Sequence, residues 1–159
     1  MTLRLMMAGA AMAVSAVGLS ACSDGGSPHA PAIEPFLWTD KPAYCAFLPE
    51  ETDFDFADKS TWKFVFVTDP QGGPPLENSP AFVQIAGEQV KLFRDLDAPG
   101  ASGQTWIYRS EDGAHEVEIQ LEDGAREAGA PTGGPQAGRI RVLSPEKGAF
   151  QNVRGGCGL

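Results

Sequence analysis

Three cysteines, two histidines and a cluster of aspartates are the residues in this 159-residue chain whose chemistry could define a function. His29 lies among prolines and glycines, where nothing fixes its geometry. His115 precedes Glu116 at the start of an alternating run. A general-base role is conceivable there, because a neighbouring carboxylate can hold an imidazole; the competing reading is a surface histidine at a strand edge. Asp53, Asp55 and Asp58 stand in the run Asp-Phe-Asp-Phe-Ala-Asp. Carboxylates two apart can share a calcium ion, but the sixth-place glycine and distant glutamate of an EF-hand loop are missing. The chain has no P-loop, no dinucleotide-binding glycine fingerprint, no His-Glu-x-x-His and no nucleophile elbow. No catalytic residue, cofactor or metal is therefore expected, and the chain is not read as an enzyme.

The cysteines are more informative. Met1-Thr2-Leu3-Arg4 is followed by an apolar stretch from Leu5 to Gly18, the length of a signal-peptide core and short of the roughly 20 residues that cross a bilayer. It ends in Leu19-Ser20-Ala21-Cys22, which resembles the lipobox of bacterial lipoproteins. The resemblance implies that residues 1–21 are removed and that Cys22 carries a diacylglycerol thioether and an acylated amine, anchoring the chain to a lipid membrane. Two or three acyl chains, at about 0.8 kcal/mol per buried methylene, hold durably. The competing readings are an ordinary cleaved signal and an uncleaved anchor. Ser23 follows the cysteine; Asp there favours inner-membrane retention in Gram-negative lipoproteins, so the resemblance implies an envelope protein on the outer membrane facing the periplasm.

With Cys22 assigned to lipid, Cys45 and Cys157 remain, at opposite ends of the expected domain. Outside the cytosol disulfides persist, and a bridge closing a loop of about a hundred residues contributes on the order of 4 to 5 kcal/mol in the chain-entropy model. A metal site would lack nearby His or Cys ligands, and a catalytic thiol would lack a partner. A disulfide is the expected outcome.

Arg4 is the one charged residue of the signal. The chain beyond it keeps 11 Lys and Arg against 21 Asp and Glu, a net charge of −10. Such a surface repels nucleic acid and attracts a basic partner or a cation over roughly a Debye length; it also simply keeps a protein soluble. The 138 residues that follow the signal suit one domain plus a tether. The tether is expected over residues 22–37, where Ser, Gly and Pro dominate and the chain spans roughly 20 Å. The acidic β-domain is expected over 38–159.

The domain must then be built from strands, since no stretch sustains apolar residues at helical spacing. Strands are expected at 44–48, 62–68, 81–85, 89–94, 104–110, 115–121, 138–143 and 149–153. Ala86-Gly87-Glu88 turns the third into the fourth, and Asp112-Gly113 marks a hairpin because both residues tolerate positive φ. Val117, Ile119 and Leu121 share one face of their strand and should be buried. Residues 51–60 could hold a short helix or a further strand, and 122–138, rich in Gly, Ala and Pro, reads as a long loop. Seven or eight strands joined by hairpins imply an all-β fold, a small antiparallel barrel or sandwich. A Cys45 to Cys157 bridge would tie its first strand to its last.

Two patterns on the strands admit a structural and a binding reading. Glu116, Glu118 and Glu122 form an acidic stripe, and Arg139 with Arg141 a basic pair on the next strand; as antiparallel neighbours they would form cross-strand pairs. Trp38, Trp62 and Trp106 could stack on sugars. Core packing suits Trp62 better, Trp38 could cover one end of the domain, and Trp106 stays open between the two.

Ala101-Ser102-Gly103-Gln104-Thr105-Trp106 resembles a segment of the membrane-bound inhibitors of C-type lysozyme, lipoproteins with eight-stranded barrels. In that family a loop serine enters the lysozyme cleft near its catalytic carboxylates. The resemblance implies partner binding through Ser102, Gly103 and Trp106. The family's second element, a Lys-Gly after aromatics on the next strand, is missing from Tyr108-Arg109-Ser110-Glu111-Asp112-Gly113. Two functions are expected in competition. One is a non-catalytic binding module for a basic periplasmic protein, sharpest as a lysozyme-type muramidase. The other is an envelope-maintenance lipoprotein without a ligand site.

Overall fold

The structure, a computed structural model, describes residues 26–39, 42–69, 79–122 and 136–157. The expected signal peptide, the expected lipid site Cys22 and most of the loop expected over 122–138 lie outside these residues. Strands are numbered in chain order: β1 Ile33–Glu34, β2 Phe36–Leu37, β3 Cys45–Pro49, β4 Lys63–Phe64, β5 Phe66–Thr68, β6 Ala81–Ile85, β7 Glu88–Arg94, β8 Thr105–Ser110, β9 Glu116–Leu121, β10 Gln136–Ser144 and β11 Gln151–Cys157. The only helical element described is a 3-10 turn, Lys59–Thr61, capped by Asp58.

Eight of these strands close an antiparallel barrel in the order β6-β5-β3-β11-β10-β9-β8-β7, with β7 returning to β6. The barrel alternative is thus realised over the sandwich. Period-2 alternation sends Cys45, Phe47, Val83, Leu92, Tyr108, Val117, Ile119, Ile140, Val142 and Val153 into one interior core. Phe47 packs on Phe66 at 6.1 Å and Phe66 on Tyr108 at 5.1 Å between ring centroids, so side chains fill the lumen as an eight-stranded ring allows. Charged residues such as Lys91, Arg109 and Arg154 face outward and are exposed. That is the reverse of a membrane-spanning barrel, whose outer face is apolar.

Cys45 and Cys157 are directly paired across β3 and β11 and form a disulfide, S–S 2.03 Å, spanning 112 residues of sequence. The first and last staves of the ring are therefore joined covalently where they meet. Gly155 sits on the same seam, and a Cβ there would lie 2.7 Å from Phe47 Cα and closer still to the Ala46 carbonyl. Only glycine permits this approach, which accounts for the glycine at this place in β11. Between β6 and β7, Ala86 and Gly87 both have positive φ, 51° and 80°, as a two-residue type I′ hairpin requires.

Two expectations are corrected. The single strand expected over 62–68 is interrupted by a slip at Val65: Val65 and Phe66 both enter the core, while Phe64 faces out. The slip splits the stave into β4 and β5, and β5 meets β6 through only two residue pairs. The tether expected over 22–37 also proves too long. Ile33 and Glu34 pair with Ile85 and Gln84 of β6, and Phe36 and Leu37 pair with Phe64 and Lys63 of β4. The N-terminal segment thus fills the gap left by the slipped stave and covers an otherwise open edge. Phe36 and Trp38 cap a second apolar cluster on the outside of the barrel with Ala46, Leu48, Phe64 and Val67. Trp38 lies 5.1 Å from Phe82. Ile33, Phe36 and Trp38 are all buried, and each contributes about 1.5 to 3 kcal/mol, enough to hold the segment despite its prolines.

Candidate functional site

The barrel has two ends. At one lie the Cys45 to Cys157 seam, the start of β6 and the loop 95–104 that joins β7 to β8. At the other lie the β6–β7 hairpin, the β8–β9 turn and the loop 145–150. The candidate partner-binding residues occupy the first.

The loop 95–104 is braced by its own polar groups. Asp95 N–H donates to the Ile107 carbonyl and Asp97 N–H to the Asp95 carboxylate. Ala98 is buried and its carbonyl accepts from Ala101 N–H, while Gly100 takes φ 88°, a conformation glycine adopts without strain. Ser102 N–H donates 2.8 Å to the Thr105 carbonyl. The Ser102 hydroxyl in return accepts from Thr105 N–H at 2.9 Å and from Gln104 N–H at 3.3 Å. A serine hydroxyl has two acceptor positions and one hydrogen. Both backbone donors lie on the Ser102 oxygen, so the hydroxyl's remaining capacity is to donate, a carboxylate being the strongest kind of acceptor.

Ser102 and Gly103 are exposed, and Trp106 ties them to the barrel. Its ring packs against the interior core, its Nε1–H donates 3.1 Å to the Gly103 carbonyl, and the Arg94 guanidinium lies 4.9 Å from its ring centroid. Trp106 is thus a support for the loop more than a stacking platform. Trp38 and Trp62 belong to the outer cluster, Trp62 also donating to the Asp55 carbonyl. Leu96, half exposed at 50 %, adds an apolar contact to the loop that sequence reading missed; its signal is a leucine between two turn-forming aspartates.

At the opposite end an open groove of about 520 Å³ runs between β7 and the β8–β9 turn, bordered by Glu88, Lys91, Phe93, Glu111, Asp112 and His115. His115 does not meet a carboxylate from Glu116, because adjacent strand residues face opposite ways and Glu116 instead accepts from Arg109 Nε at 2.6 Å. The Asp112 carboxylate accepts from the Ser110 hydroxyl at 2.6 Å and from Ala114 N–H at 3.0 Å, bonds that hold it below the usual carboxylate range, the hydroxyl contributing most. Its role is to shape the turn. Asp55 and Asp58 act likewise, accepting from Ala57 N–H and Ser60 N–H. Among the described residues no cluster has the composition of a metal site.

One acid of the expected stripe, Glu118, meets one base of the expected pair, Arg141, across the wall. Arg141 Nη2 and Nε lie 2.5 and 2.6 Å from Glu118 Oε2, both side chains nearly buried. Glu118 Oε1 accepts from Gln120, whose Oε1 accepts from Arg139. Phe150 closes the network: the Arg139 and Arg141 guanidiniums lie 4.0 and 3.9 Å from its ring centroid. Glu116 pairs the other way, with Arg109, which also reaches Asp95 at 2.8 Å. The hydrogen bond to Glu116, chiefly, holds the Arg109 guanidinium above its already high range.

No family model, curated protein or solved structure matches the chain.

Proposed function

We propose that the chain is an envelope lipoprotein, anchored through an acylated Cys22, whose acidic barrel is a non-catalytic binding module for a basic periplasmic protein, a C-type lysozyme being the sharpest case. Ser23 after the lipid-bearing residue favours the outer membrane, facing the periplasm. The observation that carries the reading is the 95–104 loop: internally braced, with Ser102 exposed and its hydroxyl oxygen already accepting from the loop's backbone, which leaves the hydroxyl to donate. A muramidase cleft lined by carboxylates supplies an acceptor, and the net charge of −10 on residues 22–159 speeds encounter with a cationic enzyme. Arg109, in the segment that lacks the lysine of the resembled inhibitors, is held by Glu116 and Asp95, so the reading rests on the loop.

The test is lysis of bacterial walls by a C-type lysozyme in the presence of the chain with Cys22→Ser, secreted without its lipid. Inhibition is expected, weakened about 10-fold or more by Ser102→Ala, since a hydrogen bond to a charged group contributes about 1.5 to 3 kcal/mol. Undiminished lysis at a large molar excess would eliminate the lysozyme reading.

A further inference from the structure

The N-terminal segment leaves the barrel at the end opposite Ser102. Ser27 N–H donates 2.8 Å to the Lys147 carbonyl. A Cβ on Gly26 would lie 2.5 Å from the Gly148 carbonyl carbon and against the Ala149 backbone, so the chain is pressed directly on the 145–150 loop. Ile33, paired with Ile85 and buried, then fixes the segment to the barrel wall. Only four Cα steps separate Gly26 from Cys22, and four steps reach at most about 14 Å. The nine-residue strand β10 is, by contrast, about 26 Å long.

Resting on the reading of Cys22 as the lipid-bearing residue, we infer that the barrel is held with its 145–150 and 110–115 end toward the lipid surface and its 95–104 loop pointing away. The leash is shorter than the barrel wall, so the opposite orientation, with the Ser102 loop against lipid, cannot be reached while Gly26 to Ile33 stay docked. Upright and tilted poses remain. Glu88, Glu111, Asp112 and Glu146 outnumber Lys91 and Lys147 around this end, so charge does not draw it to an anionic surface; the length of the leash sets the pose. Two consequences follow for function. The groove beside His115 is turned toward the headgroups, and a soluble periplasmic partner meets the Ser102 loop first.

The test uses the full lipoprotein, disulfide intact, in phosphatidylcholine vesicles containing a headgroup-quencher lipid. A fluorophore is placed on Lys147→Cys or Gln104→Cys, with Glu146→Cys and Asp97→Cys as a second pair should either of the first fail to fold. Quenching severalfold stronger at 147 and 146 than at 104 and 97, unchanged by salt, is the expected result. Equal or reversed quenching overturns the inference. A Gly/Ser linker inserted between residues 25 and 26 should abolish the difference; a difference that survives the linker overturns the leash as its cause. Vesicle flotation separates the two levels: a chain with Cys22 that does not float refutes the lipid reading, whereas one that floats with equal quenching refutes only the orientation.

Discussion

Replacing Arg141 by methionine should be among the most damaging single changes on the outside of this barrel. Arg141 and Glu118 have side-chain exposures of only 11 % and 8 %, so removing the guanidinium leaves a desolvated carboxylate with, among the described residues, only Gln120 Nε2 against it. Breaking a buried pair from one side costs about 3 to 5 kcal/mol. The contact with Phe150 is lost as well, about 0.5 to 2 kcal/mol for a desolvated cation–π pair. The double variant Arg141→Met with Glu118→Gln removes both charges, and such replacements are often close to neutral. It should recover most of the loss. The assay is urea unfolding of the disulfide-bonded domain, read as ΔG at constant m for the wild type, both single variants and the double. A cost for Arg141→Met below about 1 kcal/mol, the range of exposed ion pairs, with no recovery in the double variant would refute the account of this wall.

Three further outcomes are expected. Cys45→Ala with Cys157→Ala opens a loop spanning 112 residues and should lower stability by about 5 kcal/mol in the chain-entropy model, measured by the same unfolding curves. Gly155→Ala, with its Cβ pressed on the β3 backbone, should cost at least about 1 to 3 kcal/mol as an overpacked site, visible as a lowered melting temperature. Burial pushes the Tyr108 hydroxyl up to about 12, with Arg94 opposing it. A folded value above the unfolded one means that stability is intact below about pH 10 and falls as pH rises toward 12, by about 3 kcal/mol in all. In a Tyr44→Phe background Tyr108 is the single tyrosine, and tyrosinate absorbance titrating at the ordinary value in the folded protein would contradict its burial.

Much of the ring was legible because its signals are local. The alternation of Val117, Ile119 and Leu121, the Asp112-Gly113 turn and the cysteine arithmetic are each contained in a few residues, and each corresponds to a feature of the fold: β9, the β8–β9 hairpin and the Cys45 to Cys157 seam. What escaped depends on contacts distant in sequence. Ile33 and Phe36 stand alone among prolines, and their burial makes sense only beside the gap between β4 and β6 that the slip at Val65 opens. Phe150 gave no sign that two arginines of β10 would close on its ring. The Gly155-Gly156 pair reads as a loop until the approach of β3 explains it. At the candidate site the serine itself was visible, whereas the two backbone donors on its hydroxyl oxygen, and the half-exposed Leu96 of the same loop, required the loop's geometry.

The central claim is that this barrel works from a lipid anchor at Cys22, and the mass of the N-terminal peptide of the protein expressed in a Gram-negative cell tests it most directly. The account predicts a chain beginning at Cys22 and carrying a diacylglycerol thioether with an acylated amine. A mature chain that begins elsewhere, or a Cys22 found unmodified, would contradict it.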